Sequence, residues 1–405
     1  MKKPELLAPA GDLTKLKAAI DYGADAVYIG GKNFSLRVAS ENFSHDFMAE
    51  GIKYAHDRGK KVYVALNIIA HNTDFDGLKE YIDELVELKA DGVIVADLGI
   101  TDFIRTYAPD LHIHVSTQAS VTNFATVDFY KKLGATRVVL ARELSMDEIR
   151  EITKRVPDIE IECFVHGAMC ISYSGRCLLS NYMTGRDSNM GDCAQSCRWK
   201  YHLMEEKRPG EYLPVYEDDR GTFIFNSKDI CMIEHIDKLI EAGVTTFKIE
   251  GRVKSEYYVA TVVKAYRDAI DAYFEGKPFN PAHLEELKKI SHRGYTTGFY
   301  FGKPAPNAQV YTSNSYIRNY ELIGTVTSYN KETKIVEVEQ KNRFFKGDEI
   351  EILLPGKDFI TLTITSMWDE DGNEIDVAPH PTRKVTFPCE TEVPEGSFVR
   401  KVKLL

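Results

Sequence analysis

Four of the seven cysteines in this 405-residue chain fall within one short stretch, at Cys170, Cys177, Cys193 and Cys197. Six residues separate the first two, fifteen the middle two and three the last two, with Gly167, Gly175, Gly185 and Gly191 and Arg176, Arg186 and Arg198 among them. Soft thiolates that converge through glycine-permitted turns are what a metal ion or an iron–sulfur cluster requires. The spacing departs from the paired Cys-x2-Cys of common zinc sites, whereas iron–sulfur ligation tolerates wider, irregular intervals. Cys163, inside an apolar run, and Cys389, far along the chain, read as packing residues. Cys231 is an alternative to Cys197 as a fourth ligand. Between Gly167 and Tyr201 the basic residues Arg176, Arg186, Arg198 and Lys200 face only Asp187 and Asp192, so the stretch is locally positive on a chain of formal net charge −10.

A second set of residues could handle a small anion and its protons. Arg142, Lys248 and Arg252 follow or lie in buried-looking strands, and guanidinium forks match carboxylates or phosphates bidentately. Surface ion pairing is the plain alternative for any single arginine. His166 suits a general acid or base, or simply a hydrogen bond to its own turn. Glu162 and Glu250 occupy apolar strands, where an unpaired carboxylate is costly, so partners such as Arg142 or Lys248 are implied. Serine-hydrolase elbows, His-Glu-x-x-His helices and phosphate-binding loops are absent from the sequence.

The elements that must position these groups alternate regularly. Short β-branched runs at 5–8, 26–29, 62–66, 92–96, 113–116, 138–140, 159–165 and 246–249 are separated by amphipathic stretches such as 13–22, 47–58, 77–88, 122–133 and 146–156. Strands apolar on both faces with helices between them predict an α/β fold, a (β/α)8 TIM-type barrel, with an open doubly wound sheet as runner-up. The long cysteine-bearing insertion, 166–225, falls between strands 7 and 8, at the carboxyl rim where such barrels hold their sites. The barrel domain is expected over 1–291, a linker over 292–320 and a small all-β barrel over 321–405, where alternating strands are spaced by Asn, Gly and Asp turns. An apolar share of 43% suits a sizeable core. No run of eighteen apolar residues and no leader-like amino terminus occurs, which predicts a cytoplasmic protein without membrane association, whose thiols stay reduced.

The run Glu162-Cys-Phe-Val-His-Gly-Ala-Met-Cys170-Ile-Ser-Tyr-Ser-Gly-Arg-Cys177-Leu-Leu-Ser180 resembles the signature of the collagenase-like U-32 peptidase family. The opening Leu6-Leu-Ala-Pro-Ala-Gly11, the Leu140-Ala-Arg-Glu143 strand end and Phe247-Lys-Ile-Glu-Gly-Arg252 are similar to further motifs of that family. Within it, the length and single β tail look most like the prephenate-dependent hydroxylases of the tRNA wobble uridine. The resemblance implies dioxygen-independent 5-hydroxylation with tRNA as partner, a 4Fe-4S cluster as cofactor and prephenate, a small dicarboxylate, as oxygen donor. Carried over by motif, Cys170, Cys177 and Cys193 would be ligands, with Cys197 fourth and Cys231 in reserve. Arg142, Lys248 and Arg252 would hold the donor's carboxylates, His166 with Glu162 would handle protons, and Glu250 is a further catalytic candidate. The electron donor is left open, as is self-association into an oligomer. The family's name supplies the other reading, a peptidase, with zinc at the thiolates.

Overall fold

The alternation closes into a cylinder. The computed structural model describes residues 2–31, 34–35, 43–169, 179–186, 193–196, 217–218, 221–222, 228–302 and 317–403. Parallel strands β1 (Glu5–Pro9), β2 (Ala26–Gly30), β3 (Lys61–Leu66), β4 (Gly92–Val95), β5 (Ile113–Val115), β6 (Arg137–Val139) and β7 (Glu160–Gly167) pair in chain order. After a two-strand ribbon, β8 (Glu217–Asp218) and β9 (Gly221–Thr222), and a short strand β10 (Asp229–Cys231), comes β11 (Thr246–Ile249), the eighth strand of the barrel. It pairs with β1 on one side, Glu5 opposite Thr246, and with β7 on the other, Thr246 opposite Glu162. That double pairing rules out an open sheet.

Local signals account for the helices around it. In α6 (Met146–Arg155) the buried residues are Met146, Ile149 and Ile152, a helical stripe, and Ser145 and Glu148 cap each other's backbone amides. Such a cap contributes about 1 kcal/mol. Asp97 has a similar local duty, accepting from the Ile100 amide at 3.0 Å as the N-cap of the helix Leu98–Tyr107. The helix α9 (Glu256–Phe274) is buried along most of its length, as expected of an element lying across the barrel seam.

The lumen is filled by charge as well as by aromatic rings. Lys248 donates to Glu162 at 2.6 Å, and the other oxygen of Glu162 lies 3.3 Å from Arg137. Arg137 also reaches Glu5 at 2.8 Å and Glu160 at 2.6 Å. The rings of Tyr63 and Tyr28 lie 5.0 Å from the Arg137 guanidinium and 4.5 Å from the Lys248 ammonium respectively. Burial works to lower the Arg137 pKa, but the Glu162 and Glu5 carboxylates outweigh it and hold the guanidinium above its ordinary value. Glu162 and Lys248, whose pairing the apolar setting of Glu162 implied, stand inside the barrel because both lie on β7 and β11 before the register shift that follows Lys248. Arg137 was not among the sequence candidates.

At its carboxyl end β7 changes parity. Lys248 faces Phe164 across the ladder, but the next residue, Ile249, faces His166, so β7 carries one extra residue there. Such a bulge rotates the remainder of the strand. β10 then pairs antiparallel to β7, Cys231 opposite His166, and β12 (Tyr295–Thr296) pairs with β10. The stretch expected to be a surface linker thus belongs in part to the barrel body: Arg293 is buried with Asp229 at 2.6 Å, and the Tyr300 hydroxyl donates to the Phe164 carbonyl at 2.7 Å.

The C-terminal domain is an antiparallel half-barrel. Its main sheet comprises β13 (Tyr320–Asn330), β14 (Ile335–Gln340), β16 (Glu349–Leu353), β17 (Ile360–Thr363), β19 (Lys384–Pro388) and β20 (Phe398–Val402), with β15 (Phe344–Phe345) and β18 (Val377–Ala378) paired apart. Alternate residues Val336, Val338 and Gln340 of β14 point inward. The domain is bolted to the barrel by Arg400, fully buried, which pairs with Glu286 and Glu351 at 2.7 Å each. The Tyr22 hydroxyl donates to the Leu353 carbonyl at 2.9 Å.

Breaking the lumen network should be costly. Replacing Arg137 by Met strands Glu162 and Glu5 with incomplete pairing, and urea unfolding should show a loss of about 3–5 kcal/mol. Lys53→Met, which breaks an exposed pair with Asp57, should change stability by no more than about 1 kcal/mol.

Candidate functional site

Above the Glu162–Lys248 pair the barrel opens on Phe164. Arg142, just past β6, lays its guanidinium 3.9 Å from the Phe164 ring centroid, donates to the Ala168 carbonyl at 2.8 Å and lies 3.6 Å from the Glu250 carboxylate. Its Nε is buried with no hydrogen-bond partner among the described residues. Arg252 is also buried and donates to the Ser35 hydroxyl at 3.0 Å. Room for it comes from Gly30, where a Cβ would sit 2.4 Å from the Arg252 Nη2. Across the rim, the Asn67 side-chain amide donates to Gln118 at 2.7 Å. Two guanidiniums, Arg142 and Arg252, and the Glu250 carboxylate thus lie at this end of the barrel.

Of the sequence candidates, Arg142, Glu250 and Arg252 are thus brought together at the mouth. Glu162 and Lys248 lie a layer below and neutralise each other. His166 is turned away from the mouth altogether: standing opposite the outward-facing Ile249, its ring is 1% exposed and sits 5.4 Å from Tyr295, 5.6 Å from Tyr266 and 6.0 Å from Tyr258. The bulge is the reason, since a plain strand would have kept His166 on the lumen side with Glu162 and Phe164. Burial lowers the His166 pKa to about 3, so the ring is neutral and removed from proton traffic at the mouth. Phe164 escaped the sequence reading because it looks like an ordinary core residue.

The chain matches the description of peptidase family U32 over residues 11–310 and that of the family's C-terminal domain over residues 318–400. The protein belongs to peptidase family U32. Among its U32 relatives, tRNA hydroxylation protein P1 of Bacillus subtilis is 47% identical over 405 residues, covering 99% of this chain and 96% of the relative. The tRNA hydroxylation protein P of Escherichia coli is 40% identical over 97% of this chain and 95% of its own length. A protein of Methanocaldococcus jannaschii named as an uncharacterized protease is 42% identical over 86% of each chain.

In this U32 chain, Cys170, Cys177 and Cys197 lie outside the described residues, as do Arg176 and Arg198. Cys193 is described, and its sulfur accepts a hydrogen bond. The Gln195 amide donates to its sulfur at 3.4 Å, and the positive φ of Gln195, 56°, forms the turn that aims that amide. Ser180, in α7 (Leu179–Thr184), accepts from the Ala194 amide at 2.9 Å and donates to the Arg186 carbonyl at 2.8 Å, fixing Cys193 relative to that helix. Cys231 is anchored differently. It is buried beside the Tyr266 hydroxyl, 3.9 Å away, and burial pushes its thiol up to about 12. A bound metal would be needed to hold it as thiolate. Among the described residues no group of three or more His, Cys, Asp or Glu is arranged to hold a metal ion, and no helix is long and apolar enough to cross a membrane.

The neutral histidines of this U32 protein make its stability acid-sensitive. His166 and His114 are held below the ordinary histidine range chiefly by burial. Each stays unprotonated when folded but takes up a proton when unfolded, so stability present above about pH 6.5 is lost as pH falls toward the folded-state value. For His166 the loss at pH 5 is about 2 kcal/mol. Urea titrations of His166→Phe should show the fall in stability between pH 7 and pH 5 reduced by about that amount.

Proposed function

We propose that this chain is an RNA-modifying enzyme that hydroxylates a uridine of tRNA at the wobble position, giving 5-hydroxyuridine, with prephenate as oxygen donor and a 4Fe-4S cluster as cofactor. The observation that carries the reaction is the full-length match to relatives named for tRNA hydroxylation, which extends through both domains. The mouth is compatible with the donor: Arg142 lies over the apolar ring of Phe164, and Arg252 is a second guanidinium at the barrel's carboxyl end. Arg142 would swing little, since Phe164 and the Ala168 carbonyl already orient it, and its buried Nε is a donor in want of an acceptor.

The thiol set fits the cluster in chemistry: sulfur donors, interspersed glycines and, at Cys193, an amide that donates to the sulfur. Cys170, Cys177 and Cys193 would hold it, with Cys197 or Cys231 as fourth ligand. When bound, the cluster would supply electron transfer, passing to an acceptor outside the chain the two electrons released when C5–H becomes C5–OH with an oxygen delivered at the oxidation level of water. The chain's own part is to bind and orient. Arg142 and Arg252 fix the donor's carboxylates, Glu250 keeps Arg142 on its rim position between turnovers, and Phe164 excludes water from below. A target base inside folded RNA has to be extruded to reach such a cavity.

Nucleoside mass spectrometry tests the reading. tRNA from cells lacking the protein should have no wobble 5-hydroxyuridine, restored by the wild type but not by Cys193→Ala; an unchanged nucleoside profile would overturn it. Zinc in place of iron and sulfide, together with casein cleavage, would favour the peptidase named by the family. Iron and sulfide content of Cys197→Ala and Cys231→Ala, purified anaerobically, should identify the fourth ligand as the variant that loses the cluster. Gly30→Ala, which drives a methyl into the Arg252 guanidinium, should raise the KM for prephenate about tenfold, equivalent to about 1.4 kcal/mol.

A further inference from the structure

A cleft of about 330 Å³ lies where the N-terminus of α9 meets the root of the C-terminal domain. One wall is the start of β13, with Arg318, Tyr320 and Glu321; Lys403, just past β20, and Asn342 complete that side. The β13–β20 ladder begins at Tyr320 opposite Val402, and the Lys403 amide donates to the Asn319 carbonyl at 2.9 Å, so Arg318 and Lys403 flank one end of the same ladder. The floor is Ser255 and Tyr258. The cleft is stitched to the barrel by a two-bond bridge between His292 and Ile317, with lengths of 3.3 and 2.7 Å.

Its charges are unequal in availability. Lys289 also lines the cleft, but its ammonium is engaged by Glu286 at 2.6 Å and Glu351 at 2.8 Å. Arg318 and Lys403 are exposed and carry no ion pair among the described residues. They face a single lining carboxylate, Glu321. On a chain of net charge −10, two unengaged cations in a concavity beside hydroxyl, amide and aromatic groups match the parts of a ribonucleotide: phosphate, ribose hydroxyl and base face.

The position matters as much as the lining. Tyr258 forms the cleft floor, and its hydroxyl donates to the Glu250 carbonyl at 3.2 Å, the same residue whose carboxylate faces Arg142 in the mouth. The cleft therefore borders the barrel rim. We propose that it binds the sugar–phosphate backbone of the RNA strand whose base enters the mouth, with Arg318 and Lys403 as the phosphate contacts. This deepens the tRNA reading and rests on it.

Filter binding of the full-length, anaerobically purified protein to tRNA from cells lacking it, across 50–200 mM salt, tests the proposal. Arg318→Glu with Lys403→Glu should weaken binding at least tenfold and reduce the slope of log affinity against log salt by about 1–2, the share expected of two phosphate contacts. Arg318→Lys with Lys403→Arg should keep wild-type affinity. Reversing Lys331 and Lys334, on the distant β13–β14 turn, should leave binding within about twofold, which separates a local contact from net charge. Because both cleft residues are exposed, iron content and melting temperature should match the wild type. Wild-type affinity and slope in the reversed pair would overturn the cleft alone, as would unaltered tRNA binding with a raised KM for prephenate. Absence of tRNA binding by the wild type would bring down the tRNA reading with it.

Discussion

A carboxylate with no contact with water holds the centre of this barrel. Glu162 is held there by Lys248 and Arg137, one on each of its oxygens, and Arg137 in turn is satisfied by Glu5 and Glu160. Removing such ions from water costs several kcal/mol apiece, so the network contributes little net stability while complete and much instability when broken. Its larger effect is geometric. The participants come from β1, β6, β7 and β11, the strands around the closing seam, and a slip of one residue in any of them would leave a charge unpaired. The layer above inherits that fixed register.

That layer depends on a single extra residue. Below the bulge, β7 sends Glu162 and Phe164 into the lumen; beyond it, His166 goes outward into a tyrosine pack. The strand can therefore present an apolar floor to the mouth and still turn its end toward β10 and the segment that carries the cysteines. Arg142 ties the two together, bonded to the Ala168 carbonyl at the root of that segment and facing Glu250 at the end of β11. The Arg142–Glu250 pair and the start of the thiol-bearing stretch thus share one rim.

Much of this is readable from residue order. The two-faced apolar runs between amphipathic stretches identify eight parallel strands, and the strand-end positions of Arg142, Glu250 and Arg252 mark the mouth. What escapes does so for definite reasons. A β-bulge has no signature in the hydrophobic pattern when both faces are apolar, so simple alternation puts His166 on the wrong side of β7. Glu162 and Lys248 look like rim residues because charged groups inside a lumen are rare, and Arg137 looks like a surface cation because its partners lie on strands distant in sequence. β12 is hidden in a stretch whose glycines and prolines suggest only a connector, yet its pairing needs just two residues.

The chain leaves the barrel at the end of β7 and returns at β10, which pairs with that same strand end, Ile230 opposite Gly167. The described ends of this excursion are thus clamped to neighbouring rungs of one strand. Its length can therefore vary without moving those two rungs, much as a cartridge is exchanged in a fixed housing. A lineage built on this plan could lengthen or shorten that one excursion and leave the charged interior that sets the register untouched.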